Sequence, residues 1–430
     1  MKFRAVSLLL VAWACCLVSG CSKNSPTAPQ SIPPSAPQVP DTAEVVGHDP
    51  ASGASNVPVT TDGILITFSL GLDPSTLSDA TINVATANGQ VSCRFQYAAR
   101  QVRVRPRDGL MASSAYTVTV TQGVHDSLAR PIPRAVSWSF STEPGTSASG
   151  IIATNTSWTA AASPIILTAD VQVAYGVTLS IGPGSVIDGR GHQIETYGTT
   201  QAIGAIGSPV TFNNVRVLGG SNQPAQPFAV VVQYAEFHGG AVTPTPGYGT
   251  VMLRDSRLFD AIAPSLWYPT GPCFIERNIF IDCDGISCGA FQPVYVTNNV
   301  FSRQRTRFAV QAWTQTSPSE FQVTRNSFLS TDRVALEIRP GGYNGQMLAT
   351  NNYFGTTDAA TIADMVYDKS DDLSCNTYIQ YEPYLTAPDP TTPDPTGLFL
   401  VARVRGALRS DVRIASDAPQ TDRHLQVRER

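Results

Sequence analysis

Residues 274–301 read FIERNIFIDCDGISCGAFQPVYVTNNVF and contain two copies of a short pattern that recurs along the chain. Each copy ends in a phenylalanine with an asparagine two positions before it: Asn278 before Phe280, and Asn299 before Phe301. The related segments are FNNVRV, VQYAEF, LRDSRL, TRNSF and TNNYF. We align the apolar positions as Val217, Phe237, Leu258, Phe280, Phe301, Phe328 and Phe354, with spacings of 20, 21, 22, 21, 27 and 26 residues.

A loose period of this size is typical of a solenoid, in which each coil buries its apolar face only against its neighbours. The segments alternate Val, Ile, Phe and Tyr with polar residues and lack the spacing of an amphipathic helix, which indicates short β-strands. We therefore predict a parallel β-helix of nine or ten coils, at ~20–27 residues each. The phenylalanines would stack inside. The asparagines would lie at a turn, where an amide bonds the next coil and tolerates the left-handed conformation.

The stretch from about residue 151 to residue 387 resembles the right-handed parallel β-helix proteins, the fold shared with pectate lyases. Its opening, SWTAAASPIILTADVQVAYGVTLSIGPGSVI, is similar to the first coils of that family. Its close, NNYFGTTDAATIADMVYDKSDD followed by YEPYL, is similar to the last coils. We place the β-helix at 150–387. The resemblance implies architecture without chemistry, because this fold carries lyases, hydrolases, adhesins and non-catalytic scaffolds.

The first 20 residues are typical of an export signal, with Lys2 and Arg4 before the apolar run VSLLLVAWACCLV. The run ends in VSGC, which resembles a bacterial lipobox and implies that Cys21 becomes the lipidated N-terminus. Several acyl chains make a stable membrane anchor. Residues 21–44 are rich in Pro, Ser and Ala and predict an extended tether. We expect an exported protein, anchored by lipid to the bacterial envelope at the outer membrane or the cell surface.

Residues 45–144 predict a β-sandwich of six or seven strands. Alternating strands are visible at 64–68, 102–104, 116–120 and 136–140. The order DPASGASNVPVTTDGILITFSLGLDPSTL, AYTVTVTQGVHD, WSFST resembles the bacterial Ig-like domain of surface-layer proteins, the SbsA type. The resemblance implies a spacer or adhesion module. Cys93 is the only cysteine of this part, so the inter-sheet disulfide of antibody domains is excluded.

The connecting and terminal segments are polar. GTSASG at 145–150 predicts a flexible linker, and PDPTTPDPTG opens a tail, 388–430, that we expect to be disordered with a scatter of arginines. The chain has 430 residues and a net charge of −4, with only three lysines, so no basic patch argues for a nucleic-acid partner.

The exported chain can form disulfides, and Cys273 lies close enough in sequence to Cys283 and Cys288 to bridge with either. Free thiols are the alternative. A metal site is disfavoured, since no histidine lies near these cysteines and their spacing suits zinc poorly. We therefore expect no metal site and no cofactor, with Ca²⁺ as the one ion that an acidic cluster on the solenoid would bind.

Asp282 and Asp284 in FIDCDGIS are the candidate catalytic residues, because at i and i+2 on a strand they would share a face. An outward-facing pair could bind a cation or do acid–base work, with Arg303, Arg305 and Arg307 one coil later. A solvated strand edge and a turn explain the same residues. Asp188-Gly189-Arg190-Gly191 resembles a phrase common in pectin-active β-helices and is equally a good turn.

Other catalytic patterns are absent from the sequence. The polygalacturonase set of Asn-x-Asp, Asp-Asp, Gly-His-Gly and Arg-x-Lys, a Ser-His-Asp arrangement, a phosphate loop and HExxH are not found, and the five histidines are scattered. The aromatic residues Trp267, Tyr268, Trp313 and Tyr343 fall in predicted loops, where exposed rings could stack on sugars, and Trp313 could equally cap the core.

Three functions fit this sequence. The first is a non-catalytic, lipid-anchored surface protein whose Ig-like spacer presents a β-helix to polysaccharides or neighbouring surface proteins. The second is a polysaccharide lyase or glycoside hydrolase acting on uronate-containing glycans. The third is a structural component of the cell envelope. Several convergent acids with a base on one outer face would favour the enzyme, whereas the sequence brings only two acids together.

Overall fold

The computed structural model describes residues 42–220, 225–243, 248–266, 268–289, 292–313 and 321–396. An antiparallel sandwich precedes a parallel β-solenoid, so the predicted all-β fold class is confirmed. Both parts belong to one compact unit that begins at Asp41. The expected export signal, Cys21 and most of the tether lie outside the described residues.

The sandwich has eight strands in two four-stranded sheets, where the sequence predicted six or seven. In chain order they are β1 (Val45–Asp49), β2 (Ile64–Phe68), β3 (Ile82–Thr86), β4 (Gly89–Val91), β5 (Cys93–Ala98), β6 (Gln101–Pro106), β7 (Ala115–Val120) and β8 (Val136–Ser141). The sheet orders are β1-β2-β6-β5 and β4-β3-β7-β8. The short hairpin arm β4 is the strand that alternation alone does not reveal, because none of its three residues is buried.

The solenoid strands are short, and most have two to six residues. In chain order they are β9 (Thr146–Ile152), β10 (Thr156–Trp158), β11 (Ile165–Val173), β12 (Thr178–Ile181), β13 (Val186–Asp188), β14 (Gln193–Thr196), β15 (Thr199–Ile203), β16 (Val210–Asn213), β17 (Arg216–Gly219), β18 (Phe228–Gln233), β19 (Ala235–His238), β20 (Ala241–Thr243), β21 (Tyr248–Arg254), β22 (Arg257–Phe259), β23 (Ser265–Leu266), β24 (Tyr268–Pro269), β25 (Cys273–Glu276), β26 (Ile279–Ile281), β27 (Ile286–Cys288), β28 (Val294–Thr297), β29 (Val300–Ser302), β30 (Phe308–Ala312), β31 (Phe321–Thr324), β32 (Ser327–Phe328), β33 (Val334–Ile338), β34 (Met347–Leu348), β35 (Val366–Tyr367) and β36 (Ile379–Gln380). Within the described ranges, the helical elements are the 3₁₀ turns Pro74–Thr76 and Ala160–Ala162 and one helix, α1 (Ala359–Asp364).

Three parallel faces make up the solenoid, and the chain visits them in the same order in each coil. The first face contains β10, β12, β15, β18, β21, β25, β28, β31, β34 and β36. The second contains the start of β11 and then β13, β16, β19, β22, β26, β29 and β32. The third contains the end of β11 with β14, β17 and β20, and further along β23, β27, β30, β33 and β35. The bend between the first and second faces is the first corner, and the bend between the second and third faces is the second corner.

The solenoid makes about eight turns, fewer than the nine or ten predicted. After Phe354 the chain forms α1, and the two-residue strands β35 and β36 then pair with the third and first faces. Tyr381 and Tyr384 then pack edge-on against the Phe354 ring, each with centroids 6.4 Å apart. The end of the apolar interior is thereby covered by aromatic edges, which a terminal repeat of a solenoid needs for solubility.

The predicted column is confirmed for six of its seven members, namely Phe237, Leu258, Phe280, Phe301, Phe328 and Phe354. The Phe280 and Phe301 rings are stacked at 5.0 Å, and the Phe301 and Phe328 rings at 5.3 Å. All of these side chains are almost fully buried. Parallel pairing extends the column from Ile165 through Ile187, Phe212, Phe237, Leu258, Phe280, Phe301 and Phe328, and the Phe354 ring lies beyond, tilted by 32° against Phe328.

The alignment of Val217 with this column is wrong. Phe212 is the residue that pairs with Phe237, whereas Val217 lies on the third face between Ile194 and Val242. The error arises because the two asparagines of FNNVRV follow the phenylalanine at the second corner. In the later coils, the matched asparagine precedes the phenylalanine at the first corner.

The asparagine column forms a buried ladder along the first corner. The side-chain oxygens of Asn299, Asn326 and Asn352 accept from the backbone N–H of Asn278, Asn299 and Asn326, at 2.8–2.9 Å. The side-chain nitrogen of Asn299 donates to the carbonyl of Ile275 at 2.7 Å. This is the predicted bond to the neighbouring coil's backbone.

The left-handed conformation, however, belongs to the residue before each ladder asparagine. Arg277, Asn298, Arg325 and Asn351 have φ between 54° and 59°. The expectation that the ladder asparagines adopt it themselves is wrong, since their amides are needed in the ladder and the exposed neighbour makes the bend.

Two segments expected to be flexible are held in place. Thr146–Ile152, which covers most of the expected linker, forms β9 and pairs with β11, because a run of small residues can add to an open sheet edge. At the other end, Thr392 donates to the carbonyl of Arg325 at 2.8 Å, and Asn298 donates to Thr391 at 2.8 Å. Residues 388–396 thus lie along the first corner, and 397–430 lie outside the described residues.

We predict that Phe301→Asp disrupts the central coils, because an unpaired carboxylate in the dry column costs several kcal/mol. The thermal midpoint should fall and proteolysis should cut within the solenoid. Phe274→Asp is the matched control, since Phe274 is only half-buried on the outside of β25, and it should lower the midpoint less. Ordinary protease resistance of Phe301→Asp would show that Phe301 points outward.

Candidate functional site

Asp282 and Asp284 lie at the second corner and not on a strand. β26 ends at Ile281 and β27 begins at Ile286. Asp282 has a left-handed backbone with φ of 54°, and so do the corner residues of other coils, Asn214, Gly239, Asp260 and Arg303. The expectation that the two acids share one face of a strand is therefore wrong. The error arises because apolar and polar residues still alternate in IFIDCD after the strand has ended and the chain has turned.

An arginine one coil later pairs with each of these acids. Arg303 donates to both carboxylate oxygens of Asp282, at 2.8 and 2.7 Å. Arg305 donates to Asp284 at 3.0 Å and to the carbonyl of Ala261 at 3.2 Å. A carboxylate held in this forked geometry has its charge neutralised and its lone pairs engaged. The pair is thereby a poor ligand set for a cation.

The environment of Asp282 keeps it ionised. Burial acts to raise the pKa of its carboxyl, but the hydrogen bonds and charge of Arg303, with the charge of Arg94, bring the pKa below its ordinary value. A general acid or base at neutral pH needs the opposite shift, towards the operating pH. Asp282 is therefore suited to hold an ion pair.

The second corner also joins the solenoid to the sandwich. Asp260 is 5% exposed and accepts from two sandwich residues, Arg94 and, at 2.5 Å, Arg107. The Nε atom of Arg94 lies 3.6 Å from Asp282, and its guanidinium lies 5.1 Å from the centroid of the Phe259 ring. The candidate acid Asp282 thus belongs to an ion-pair network between the two domains.

Asp188-Gly189-Arg190-Gly191 forms a turn that fastens the sandwich. Asp188 is buried and accepts from the backbone N–H of Ala112 at 2.8 Å. Arg190 donates to the carbonyl of the same residue at 2.7 Å. One coil later, Asn213 donates to the carbonyl of Leu110 at 3.0 Å. This turn has an interdomain role that its sequence does not disclose.

Other acids of the solenoid are paired in the same way. Asp255 accepts from Arg277 at 2.6 Å, and Glu276 lies 2.7 Å from Arg254. Arg307, expected near the candidate acids, instead lies 3.2 Å from Glu337 and stacks over a tyrosine ring. The spacing of one coil therefore produces acid–arginine pairs on several parts of the outer surface.

A cleft of about 640 Å³ lies between the sandwich and the second face of the solenoid. Its sandwich wall comes from residues 59–63 and from β5 and β6, and its solenoid wall includes residues of β16, β19 and β22. Five arginines line it: Arg94, Arg103, Arg105, Arg257 and Arg303. The sequence gives no signal for this site, because its walls come from segments more than a hundred residues apart.

An acid–histidine pair lies on the solenoid wall of the cleft. The Nε2 atom of His238 is 2.8 Å from a carboxylate oxygen of Glu236, and Arg257 lies 3.7 Å from the other oxygen. Burial acts to raise the pKa of Glu236, but the hydrogen bond and charge of His238 and the charge of Arg257 bring it below its ordinary value. Glu236 is therefore ionised.

The predicted aromatic residues do not form a common surface among the described residues. Tyr343 is 1% exposed, packs edge-on against Phe321 and donates its hydroxyl to the carbonyl of Gln346 at 3.1 Å. It belongs to the core, which contradicts its expected exposure. Trp313 is half-buried. Trp267 and the side chain of Tyr268 lie outside what the structure describes.

The five cysteines within the described ranges are free and buried: Cys93, Cys273, Cys283, Cys288 and Cys375. The candidate disulfides of Cys273 are not formed, and burial raises the pKa of the Cys283 thiol to about 12. Thiols of this kind are inert. The described part of the chain has no group of three or more His, Cys, Asp or Glu side chains that could hold a metal ion.

Comparisons with known proteins identify the sandwich. Residues 40–142 match the family model of the bacterial Ig-like domain, Big_5, which confirms the predicted bacterial Ig-like domain. No curated protein matched the chain. None of the helices in the described ranges has the length and apolar character needed to cross a bilayer.

We predict that Asp282→Asn lowers the free energy of unfolding by about 2 kcal/mol at neutral pH, because charged hydrogen bonds to Arg303 are lost. A carboxyl whose folded pKa is depressed stabilises the protein above its unfolded pKa, ~3.9, and loses that effect as the pH falls through the folded value. Denaturant titrations should show the two proteins converging at acidic pH.

Asp284→Asn is the control for this prediction. It removes a more exposed pair, with 30% of the Asp284 side chain accessible against 21% for Asp282, and should cost less. A difference between wild type and Asp282→Asn that is absent at neutral pH, or that persists unchanged in acid, would contradict the assigned pairing.

Proposed function

We propose that the protein is a non-catalytic surface protein that binds glycans or neighbouring surface proteins, with its Ig-like domain fixed against a β-helix. One observation carries the proposal: the two candidate acids of the solenoid, Asp282 and Asp284, are each paired with an arginine from the next coil. Lyase chemistry on uronates needs free carboxylates for Ca²⁺ and a base near neutrality. Paired, ionised acids supply neither.

In this proposal the Ig-like domain holds the β-helix in a fixed position. Its expected role was that of a spacer. Ile166 and Val186 of the solenoid belong to the same apolar cluster as the sandwich core. Polar bonds from Ala112 and Leu110 and the ion pairs of Asp260 extend the contact over several coils. A binding surface built from both domains is thereby held in one geometry, which lowers the entropy lost on binding.

Lipidation of Cys21 would attach the protein to the membrane in this proposal. A lipidated Cys21 followed by the Pro-rich residues 22–44 would hold the folded part away from the bilayer, at roughly 3 Å per extended residue. This arrangement places the solenoid where polysaccharides and other surface proteins are its neighbours. A role as a purely structural envelope component would use the same anchor, and binding measurements separate the two.

We expect no cleavage when the purified protein is incubated with pectate, alginate and other uronate polymers, with and without Ca²⁺. Ultraviolet absorbance reports the unsaturated ends that a lyase would produce, and a reducing-end assay reports hydrolysis. Product formation that disappears in a protein carrying Asp282→Ala and Asp284→Ala would overturn the proposal in favour of the enzyme.

We expect Cys21→Ala to abolish lipid anchoring, so that the protein leaves the detergent phase or stays unprocessed. Phase partition and labelling with a fatty-acid analogue measure this directly. Cys16→Ala is the matched control, because Cys16 lies within the apolar run of the signal and should be dispensable. Detergent partition of a processed Cys21→Ala protein equal to that of wild type would remove the anchor from the proposal.

A further inference from the structure

The cleft between the two domains has an excess of guanidinium groups. Arg103 and Arg105 from β6 share a single carboxylate, Asp62, whose side chain is 64% exposed. Arg257 from β22 is 55% exposed and shares Glu236 with His238. An exposed ion pair contributes little energy, so these arginines keep donors available to a bound anion.

The remaining two arginines of the cleft are fixed more firmly. Arg94 is 19% exposed and pairs with the buried Asp260, and Arg303 is held by both oxygens of Asp282. Asp260 and Asp282 therefore fix the orientation of these two guanidinium groups. Arg103, Arg105 and Arg257, in contrast, pair within their own domains, so cationic side chains of the two walls face one cleft. An anion between the walls would relieve this repulsion.

The size and lining of the cleft indicate the kind of anion. A volume of about 640 Å³ falls within the range of about 300–1,000 Å³ typical of small-molecule sites. Hydroxyl and amide side chains line it beside the arginines: Thr60, Thr61, Gln96, Ser208 and Thr211. Such groups hydrogen-bond sugar hydroxyls, while guanidinium forks fit carboxylate or sulfate.

We infer that this interdomain cleft binds a short acidic oligosaccharide through its carboxylate or sulfate groups. The inference rests on the proposed surface-binding function and assigns it a site. The C-terminal residues 397–430 are a poor occupant, because their seven arginines outnumber their four acids and would be repelled by the cleft.

Calorimetric titration of the purified protein with four probes tests this site. The probes are trigalacturonate, a sulfated carrageenan tetrasaccharide that carries no carboxylate, neutral maltotriose and a hexaglutamate peptide. We expect one or both acidic saccharides to bind, more weakly at high ionic strength, and maltotriose not to bind. The first two probes distinguish a carboxylate ligand from a sulfate ligand.

Arg105→Gln and Arg257→Gln remove one guanidinium from each wall. Each should weaken binding by about tenfold or more, which is the effect of losing a charge-assisted hydrogen bond. Arg325→Gln is the matched control, since Arg325 is 61% exposed and lies 3.8 Å from Asp389, much as Arg257 lies 3.7 Å from Glu236. Its affinity should equal that of wild type. Circular dichroism and the thermal midpoint verify folding, and Arg105→Lys and Arg257→Lys restore the charge without the fork if a Gln variant unfolds.

Three results would overturn the site: neither acidic saccharide binds, hexaglutamate alone binds, or the acidic saccharides bind equally well to both cleft variants. The last result would leave the surface-binding function in place, with its site elsewhere. Cleavage of the saccharides by wild-type protein would instead overturn the non-catalytic function, whatever the cleft variants do.

Discussion

The buried asparagine ladder at the first corner is the interaction on which the regular part of the solenoid depends. Each coil must bend there inside a dry interior, which leaves backbone N–H and carbonyl groups without a strand partner. The Asn299 side chain satisfies one of each, accepting from the N–H of Asn278 and donating to the carbonyl of Ile275. Since the amides also bond to one another, the chain of bonds is cooperative. A slip of one residue would leave buried groups unpaired. The ladder therefore fixes the register that lets the phenylalanines two positions later stack.

The ladder ends towards the N-terminus, and a different support replaces it there. Ser256 takes the place of asparagine: its backbone N–H donates to the side-chain oxygen of Asn278, and its hydroxyl oxygen accepts from the backbone N–H of Ala235. In the two coils before it, the equivalent positions hold Ala235 and Val210, whose side chains have no amide group. These are coils against which the Ig-like domain packs, with Val186 of the solenoid inside the sandwich cluster. The terminal coils of a solenoid need such a partner, because their outer neighbours are missing.

What could be predicted from the sequence was the part of the fold that repeats. The repeat is visible at Phe280, Phe301 and Asn299, because each has a residue of the same type about one period away in sequence. In the folded protein the two residues are neighbours on adjacent coils. Arg303 beside Asp282 follows from the same spacing. The conformation of a corner is not visible in this way, which is why Asp282 looked like a strand residue. The pairing of Arg94 with Asp260 joins residues 166 positions apart. One lies in the sandwich and the other in the solenoid, so no local sequence pattern could reveal it.

The coil spacing of the solenoid and the two-residue alternation of the sandwich strands also explain which charged side chains become neighbours. Within the solenoid, an acid and an arginine one coil apart are neighbours, and pairs such as Asp255 with Arg277 close locally. The sandwich follows the alternation of antiparallel strands, and Arg103 and Arg105 lie on one face of β6 because they are two residues apart. Where the two surfaces meet, Arg103 and Arg105 share one exposed carboxylate, and Arg257 shares Glu236 with His238. Arginines are therefore left facing a gap that neither domain would form alone. The interdomain cleft is the place where arginines of both domains face a common space that a ligand can enter.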